Sequence, residues 1–202
     1  MNPIVISDRV TTAIQLGESH FREFKSALSG PPGNKTKRTV KEIAVDIGRT
    51  LVAFANADGG ELLIGVEDSG AITGLPGFSE TEINGLLAAP DTQIHMDTPM
   101  SMVKRTSLII EGKSVIYFSV SKSTDFVHLT SDGRCLQRRD LESIPVASEA
   151  IKFDRQEAKS RSYDREFVDG ATMADLDWTL VQAVADQIIR GMSPEKCLQY
   201  LE

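Results

Sequence analysis

The chain has 202 residues, of which 41% are hydrophobic and 25% charged, as expected for an ordinary folded globular domain. No stretch approaches the ~18 consecutive apolar residues of a transmembrane helix, and the net charge of −7 argues against a protein that coats nucleic acid over its whole surface. The two cysteines, Cys135 and Cys197, have no metal-binding spacing, so we expect a cytoplasmic protein with reduced thiols.

The first part of the chain predicts a helix, a strand and a loop. Residues 1–16 have weak helical character that ends at Gly17. Residues 20–28 alternate apolar and polar side chains, as a strand does. Glycines and prolines then dominate residues 29–36, which predicts a loop.

A longer helix follows this loop. Thr39 and Glu42 have the spacing of a capping box, and apolar residues recur with helical period as far as Ala55. We expect the helix to end near Gly59, because glycine adopts the left-handed backbone that ends helices. Residues 61–66 are a continuous apolar run, which is typical of a buried strand.

The middle of the chain predicts a return strand and a second helix. Residues 71–73 follow a turn and can pair with the strand before it. Ser79 and Glu82 have capping spacing for a helix that reaches about Ala89. Residues 91–99 show no regular pattern, so we expect them to be irregular.

A β-hairpin comes next. Strands are predicted over residues 102–110 and 113–120, and the Glu-Gly pair at residues 111–112 suits the turn between them. A short strand around residues 134–138 and a helix that begins at Ser148 follow. Together these elements predict an α+β fold, with a mixed β-sheet and flanking helices.

A change of composition near residue 158 divides the chain. We expect one domain over residues 1–158 and a linker with a helical appendage over residues 159–202. A last helix beginning at Ser193 would be too short to be stable alone, so we expect the chain to continue into a longer protein.

The appendage predicts one amphipathic helix. Thr172 and Asp175 have capping spacing, and the apolar stripe that follows consists of Leu176, Leu180, Val184 and Ile188. A helix of this kind offers a docking face, so one hypothesis for the chain is an oligomerisation or interaction module.

Residues 30–36, Gly-Pro-Pro-Gly-Asn-Lys-Thr, resemble a phosphate-binding P-loop at first sight. That motif requires a glycine immediately before its lysine, so that backbone N–H groups can wrap the phosphates. Here Asn34 precedes Lys35, and the loop is one residue short. We therefore expect a surface loop and not a P-loop ATPase.

Two other segments carry a more specific signal. Residues 18–25 read ESHFREFK, and residues 53–70 read AFANADGGELLIGVEDSG. An arginine pair follows at residues 138–139. In this order the segments resemble the Schlafen-type AlbA-like domain family, over about residues 18–151.

The resemblance implies an α+β fold and a nucleic-acid-binding role, on DNA or RNA, in bacterial or phage-type regulators or defence proteins. The family was once labelled a divergent ATPase, and its domain usually precedes further helical or winged-helix regions. Binding of this kind rests on phosphate contacts, which are salt-dependent and largely independent of base sequence. The basic candidates for such contacts are Lys25, Lys35, Lys37, Arg38, Lys104, Arg105, Arg138 and Arg139.

Animal members of the family imply a second activity, the metal-dependent cleavage of structured RNA by three carboxylates. The residues that match are Glu18, Glu23 and Asp68, which could hold Mg²⁺ or Mn²⁺ through oxygen ligands while Lys25 binds the phosphate. No other cofactor is expected. The alternative is a structural ion-pair network of Glu23, Lys25 and Asp68 at the sheet edge.

Overall fold

The computed structural model describes residues 3–31, 33–100, 102–163, 172, 176–188, 193 and 196. The chain divides into two compact units, Met1–Glu157 and Ala158–Glu202. None of the helices in the described ranges has the length and apolar character needed to cross a membrane.

Helices and strands are interspersed along the chain. In order, they are α1 (Pro3–Leu16), β1 (Arg22–Lys25), β2 (Leu28–Ser29), β3 (Thr36–Lys37), α2 (Val40–Asn56), β4 (Gly59–Ile64), α3 (Glu80–Leu87), α4 (Ala89–Gln93), β5 (Lys104–Ile110), β6 (Lys113–Ser121), β7 (Leu136–Arg139), β8 (Glu142–Pro145), α5 (Ser148–Tyr163) and α6 (Trp178–Ile188).

Four strands form the central sheet, in the order β1-β4-β6-β5. β1 pairs parallel with β4, whereas β4 with β6 and β6 with β5 pair antiparallel. A parallel pair requires a crossover connection, and α2 lies in the chain between these two strands. The prediction of an α+β fold with a mixed sheet and flanking helices is confirmed.

One face of the sheet packs on α2, which explains the strong apolar stripe of that helix. Leu51 and Phe54 of α2 lie in one buried cluster with Leu62 of β4 and Phe118 of β6. The predicted capping box is present, because Thr39 and Glu42 exchange side-chain-to-backbone hydrogen bonds. A cap of this kind stabilises a helix by about 1 kcal/mol.

The other face of the sheet packs on α1, but only in part. Leu63 of β4 lies opposite Phe24 of β1 and Tyr117 of β6 in the register, so these side chains share a face. Val10 and Ala13 of α1 complete their cluster. Nearer the start of β4, the same face carries Glu61, whose partners are Arg9 of α1 and Tyr117 of β6.

The β5–β6 hairpin is confirmed, and its turn has a clear physical cause. Glu111 and Gly112 both have positive φ, 49° and 73°. Two successive residues of this kind match the twist of the flanking strands. The predicted return strand at residues 71–73 is reduced to one bridge, between Val66 and Ile72.

Three short elements differ from the sequence prediction. The region expected to be irregular from residue 91 begins inside α4, which has Pro90 in its first turn, where proline is tolerated. The loop at residues 29–36 is flanked by a two-stranded ribbon of β2 and β3. β8 pairs with β7 and was missed, because its sequence, Glu-Ser-Ile-Pro, has little apolar pattern.

In the second unit, α6 begins later than predicted. The side chain of Asp177 accepts hydrogen bonds from the backbone N–H groups of Thr179 and Leu180, at 3.0 and 3.2 Å, so this residue caps the helix. The predicted cap at Asp175 and most of the helix predicted from Ser193 lie outside the described residues. Helix α5 reaches Tyr163, past the start of the predicted linker.

Candidate nucleic-acid interface

A groove of about 890 Å³ lies over the part of the sheet that α1 leaves uncovered. Its lining includes polar side chains of three strands, namely Glu61 of β4, Thr106 of β5 and Tyr117, Ser119 and Ser121 of β6. Ile6 and Arg9 of α1 and the turn at residues 21–22 also contribute to the lining.

The groove has a charge opposite to that of the whole chain. Its acidic lining residues are Asp58 and Glu61, and its basic ones are Arg9, Arg22, Lys104, Arg105 and Lys122. The chain as a whole has a net charge of −7. A concave surface with a local excess of cations attracts polyanions even when the net charge is negative.

Glu61 lines this groove and is only 8% exposed. One of its carboxylate oxygens accepts hydrogen bonds from the Tyr117 hydroxyl, at 2.8 Å, and from Nε of Arg9. Nε of Arg22 lies 3.8 Å from the other oxygen. Burial, followed by the hydrogen bond to Glu61, raises the pKa of Tyr117, and the hydrogen bond to Glu61 raises the pKa of Arg9. Glu61 thus holds two arginines of the groove in place while its own charge is compensated.

Asp58 compensates the cations at one side of the groove. Its carboxylate accepts from Nζ of Lys122 at 2.9 Å and lies 3.2 Å from Nε2 of His20. The hydrogen bond from Lys122 is the main cause that lowers the pKa of Asp58. The side chains of Asp58 and Lys122 are both about half exposed, so this ion pair remains accessible to a third charged group.

Close packing dictates the turn from α2 into β4. Gly59 has a φ of 81°, and a Cβ atom there would come within 2.8 Å of the backbone nitrogen of Lys122. At Gly60 a Cβ atom would lie 2.6 Å from the ring of Phe54. The Gly-Gly pair therefore lets the edge of the groove approach both β6 and the core.

The sequence-predicted cations of the β3 region lie outside the groove lining and are paired with carboxylates. The distances are 2.6 Å for Lys35–Glu67, 2.7 Å for Lys37–Glu82 and 2.6 Å for Arg38–Asp46. Surface ion pairs of this kind contribute about 0–1 kcal/mol each and can be exchanged for other partners. Contact of these residues with nucleic acid stays a prediction.

Of the other predicted cations, Lys104 and Arg105 do line the groove. Nη1 of Arg105 also donates to Asp91, at 2.6 Å. Arg139 is exposed at the end of β7. Lys25 is paired with Glu23.

The segments ESHFREFK and AFANADGGELLIGVEDSG both lie in a region that matches a known protein family. The family model described as "Schlafen, AlbA_2" matches residues 18–147. The chain belongs to this family. Membership is consistent with a nucleic-acid-related domain.

Two solved structures are similar to this Schlafen AlbA_2 chain. The DIP2311 protein from Corynebacterium diphtheriae is 17% identical over 94% of this chain and 35% of its own length, with a TM-score of 0.53. The chain therefore spans 35% of that protein, and the likeness shows the fold alone.

The N-terminal domain of a RecG-related protein from Nitrosomonas europaea, named for an ATP-dependent DNA helicase, is 21% identical. That match covers 57% of this chain and 72% of the domain, with a TM-score of 0.38. No curated protein is significantly similar in sequence.

Several residues of the Schlafen AlbA_2 segments have structural partners. Asn56, which is buried, donates to the carbonyl oxygens of His128 and Leu136, at 2.8 and 2.9 Å, and accepts from the N–H of His128 at 2.8 Å. It thereby joins the end of α2 to the segment that enters β7.

Arg138 of the arginine pair is also buried. Its side chain is 1% exposed and lies 2.6 Å from Glu23, 3.1 Å from the carbonyl oxygen of Ser19 and 5.3 Å from the centre of the Phe54 ring. In this position the charge of Arg138 is paired with Glu23 inside the protein. A contact between Arg138 and a phosphate would require the turn at residues 19–22 to open.

The three carboxylates predicted from the Schlafen AlbA_2 resemblance interact electrostatically. Burial is the main cause that raises the pKa of Glu18, the hydrogen bond from the Phe24 N–H lowers it, and the charges of Glu23 and Asp68 raise it further. One oxygen of Glu23 accepts a hydrogen bond from Nζ of Lys25, and the other forms an ion pair with Nη2 of Arg138.

The fit of these carboxylates to a metal ion is poor in this arrangement. Within the described ranges, no three His, Cys, Asp or Glu side chains are grouped so that they could hold one. Both oxygens of Glu23 have a cationic partner, Lys25 or Arg138, and these cations would compete with a metal ion for the carboxylate. We therefore derive no chemical step through a metal, and the metal assignment of Glu18, Glu23 and Asp68 stays a prediction.

Among the residues that line the groove, Arg9, Phe21, Arg22 and Lys122 were not predicted as site residues from the sequence. Phe21 and Arg22 lie inside the ESHFREFK segment, so the resemblance could have drawn attention to them. Arg9 and Lys122 lie 113 positions apart in the numbering, and no local pattern connects them.

Proposed function

We propose that this Schlafen AlbA_2 domain binds DNA or RNA, mainly through the phosphate backbone, as part of a regulatory or defence protein. The observation that carries the proposal is the groove, whose lining has five basic and two acidic residues in a chain of net charge −7. Phosphate contacts supply most of the affinity of proteins that bind nucleic acid without base specificity.

Three groove cations are accessible to a phosphate, although four of the five groove cations have acidic partners. The Arg9 side chain is 63% exposed and that of Lys122 is 51% exposed. Lys104 is exposed at the start of β5. The Lys122–Asp58 pair is exposed and therefore weak, so a phosphate oxygen can replace or join the Asp58 carboxylate at small cost.

Salt-dependent binding tests this proposal. Fluorescence anisotropy with labelled DNA and RNA should give a Kd that rises with salt. A Lys104→Ala/Lys122→Ala variant should bind more weakly and reduce the slope of log Kd against log salt by about 1 to 2. The matched control is Lys41→Ala/Lys152→Ala, which removes two exposed lysines outside the groove lining.

The control decides how the result is interpreted. If both double variants lose affinity equally, the effect is one of net charge, and the groove is not the binding surface. If the wild-type protein does not bind nucleic acid even at low salt, the proposed function is wrong.

A metal-dependent endoribonuclease is the second candidate. Its support is the electrostatic effect of the Glu23 and Asp68 charges on Glu18, whose pKa both charges raise. An oligomerisation or interaction module is the third candidate. Its support is α6, where the side chains of Leu180 and Val184 are 63% and 40% exposed. Elution as a monomer at high concentration would remove that support.

A further inference from the structure

We propose that the groove takes a single-stranded nucleic acid and that one unpaired base stacks on Phe21. This inference rests on the proposed function, because the groove cations would hold the phosphates of the same strand. It adds a ligand class, single strands over duplexes, and a residue that distinguishes the two.

Phe21 differs from the other aromatic residue of the groove. The Phe21 residue is 54% exposed and lines the groove, beside Arg22. Tyr117 is 5% exposed, and its hydroxyl donates to Glu61. Phe21 is therefore the aromatic lining residue with a ring surface available to a ligand.

The backbone around Phe21 is held in place by hydrogen bonds. Ser19 and Arg22 exchange two backbone bonds, of 2.9 and 3.1 Å, across the turn. The carbonyl oxygen of Phe21 accepts from the N–H of Glu61 at 2.9 Å, which ties the turn to β4. Nη1 of Arg22 donates to the carbonyl oxygen of Gly17 at 2.7 Å.

The ring of Phe21 also has a neighbour that restricts its orientation. The His20 ring lies 4.8 Å away between centroids, at an interplanar angle of 85°. His20 is in turn 3.2 Å from Asp58, which Lys122 also contacts. A platform that is ordered in advance loses little side-chain entropy when a ligand binds.

An exposed aromatic ring among cations should bind a single-stranded nucleic acid better than a duplex, for a geometric reason. In a duplex each base is covered by its neighbours, so an aromatic side chain at the surface meets no free base face. In a single strand a base can turn out and stack, and this adds affinity without base specificity. Lys122, which is half exposed, is linked to Phe21 through Asp58 and His20, so a stacked base and its phosphate could be bound by neighbouring side chains.

The test compares single-stranded and duplex oligonucleotides of the same sequence, about 12 nucleotides long, with wild-type protein and a Phe21→Leu variant. Leucine keeps an apolar side chain but removes the aromatic face. We expect Phe21→Leu to weaken single-strand binding by about 5-fold to 100-fold and to leave duplex binding unchanged. Phe21→Trp should keep or increase single-strand affinity.

Phe126→Leu is the matched control, because Phe126 is 59% exposed and does not line the groove. It should bind both forms as the wild-type protein does. Thermal unfolding of each variant shows whether it is folded. Parallel DNA and RNA single strands show which sugar is preferred, since stacking alone does not distinguish them.

The outcomes separate the inference from the function on which it rests. If the wild-type protein binds in a salt-dependent manner but a folded Phe21→Leu variant binds single strands equally well, the stacking inference is wrong and the groove proposal stands. An equal loss for duplex and single strands also overturns the inference. Absence of any binding by the wild-type protein overturns the proposed function itself.

Discussion

Arg138 and Glu23 form a buried ion pair, with 2.6 Å between Nη2 and Oε2, that joins β7 to the first strand of the central sheet. The two residues are 2% and 7% exposed. Lys25 provides the second partner of Glu23. The pair fixes the strand that follows the turn carrying Phe21, so it is structurally linked to one wall of the groove.

Removing Arg138 should destabilise the fold. The substitution Arg138→Met leaves a buried carboxylate with Lys25 as its remaining ionic partner, and we expect a loss of about 3 kcal/mol in the free energy of unfolding. Chemical denaturation measures this loss. Arg139→Met, at the exposed neighbour, should change stability by less than about 0.5 kcal/mol. Adding Glu23→Gln to Arg138→Met should restore part of the loss, and a fully additive double variant would contradict the pairing.

Gly60 and Gly85 should respond in opposite ways to alanine. At Gly60 the new methyl group would lie 2.6 Å from the fully buried Phe54 ring, so we expect Gly60→Ala to destabilise by about 1–3 kcal/mol. At Gly85, inside α3, its nearest neighbour would be a methyl group of Val40 at an ordinary 3.8 Å. Gly85→Ala should therefore stabilise, by about 0.5–1 kcal/mol. Thermal unfolding compares the two, and equal effects would argue against the close approach at Gly60.

Glu18 should make stability depend on pH. Because its pKa is raised in the folded state, chiefly by burial, the folded protein binds this proton more tightly than the unfolded chain does. The stability it contributes is present below the ordinary pKa of 4.5 and is lost as the pH rises through the folded-state pKa. As the pH rises through the folded-state pKa of Glu18, a Glu18→Gln variant should therefore become more stable relative to wild type.

Urea unfolding across this pH range measures the difference between wild type and Glu18→Gln, and a difference that does not change with pH would contradict the prediction. NMR titration gives the pKa of Glu18 directly. In Asp68→Asn that pKa should fall, because one of the charges that raise it is removed.

RNA should remain intact in the presence of Mn²⁺, because both oxygens of Glu23 are paired with cations in this structure. A denaturing-gel time course with a structured, tRNA-like RNA tests this expectation. Cleavage that persists with purified wild-type protein and is lost in both Glu18→Gln and Asp68→Asn would favour the endoribonuclease instead. Folded variants are the required control, because Glu18 also accepts a hydrogen bond from the backbone of β1.

Local sequence was sufficient for the elements whose signals are local. The capping boxes at Thr39 and Ser79 are both present in the structure, since each depends on residues three positions apart. The hairpin turn at Glu111 is another example, because two residues with positive φ determine it. The family resemblance was also readable, since it rests on short ordered segments.

The candidate site was not predictable in the same way. The sequence directed attention to a run of cations at residues 35–38, which the structure pairs with carboxylates 8, 32 and 45 positions away. It also singled out Arg138, which is buried. Whether a cation is neutralised depends on carboxylates that folding brings close to it. A local sequence pattern does not predict which carboxylates these are.

By itself the sequence determined the α+β class, the main helices and strands and the family, because these follow from periodicity, capping and short motifs. Only the tertiary structure decided where charge accumulates. Strand pairing and the partial cover by α1 bring Arg9, Arg22, Lys104 and Lys122 from four separate segments to one groove. Long-range contacts bring these four side chains together although they are far apart in the sequence.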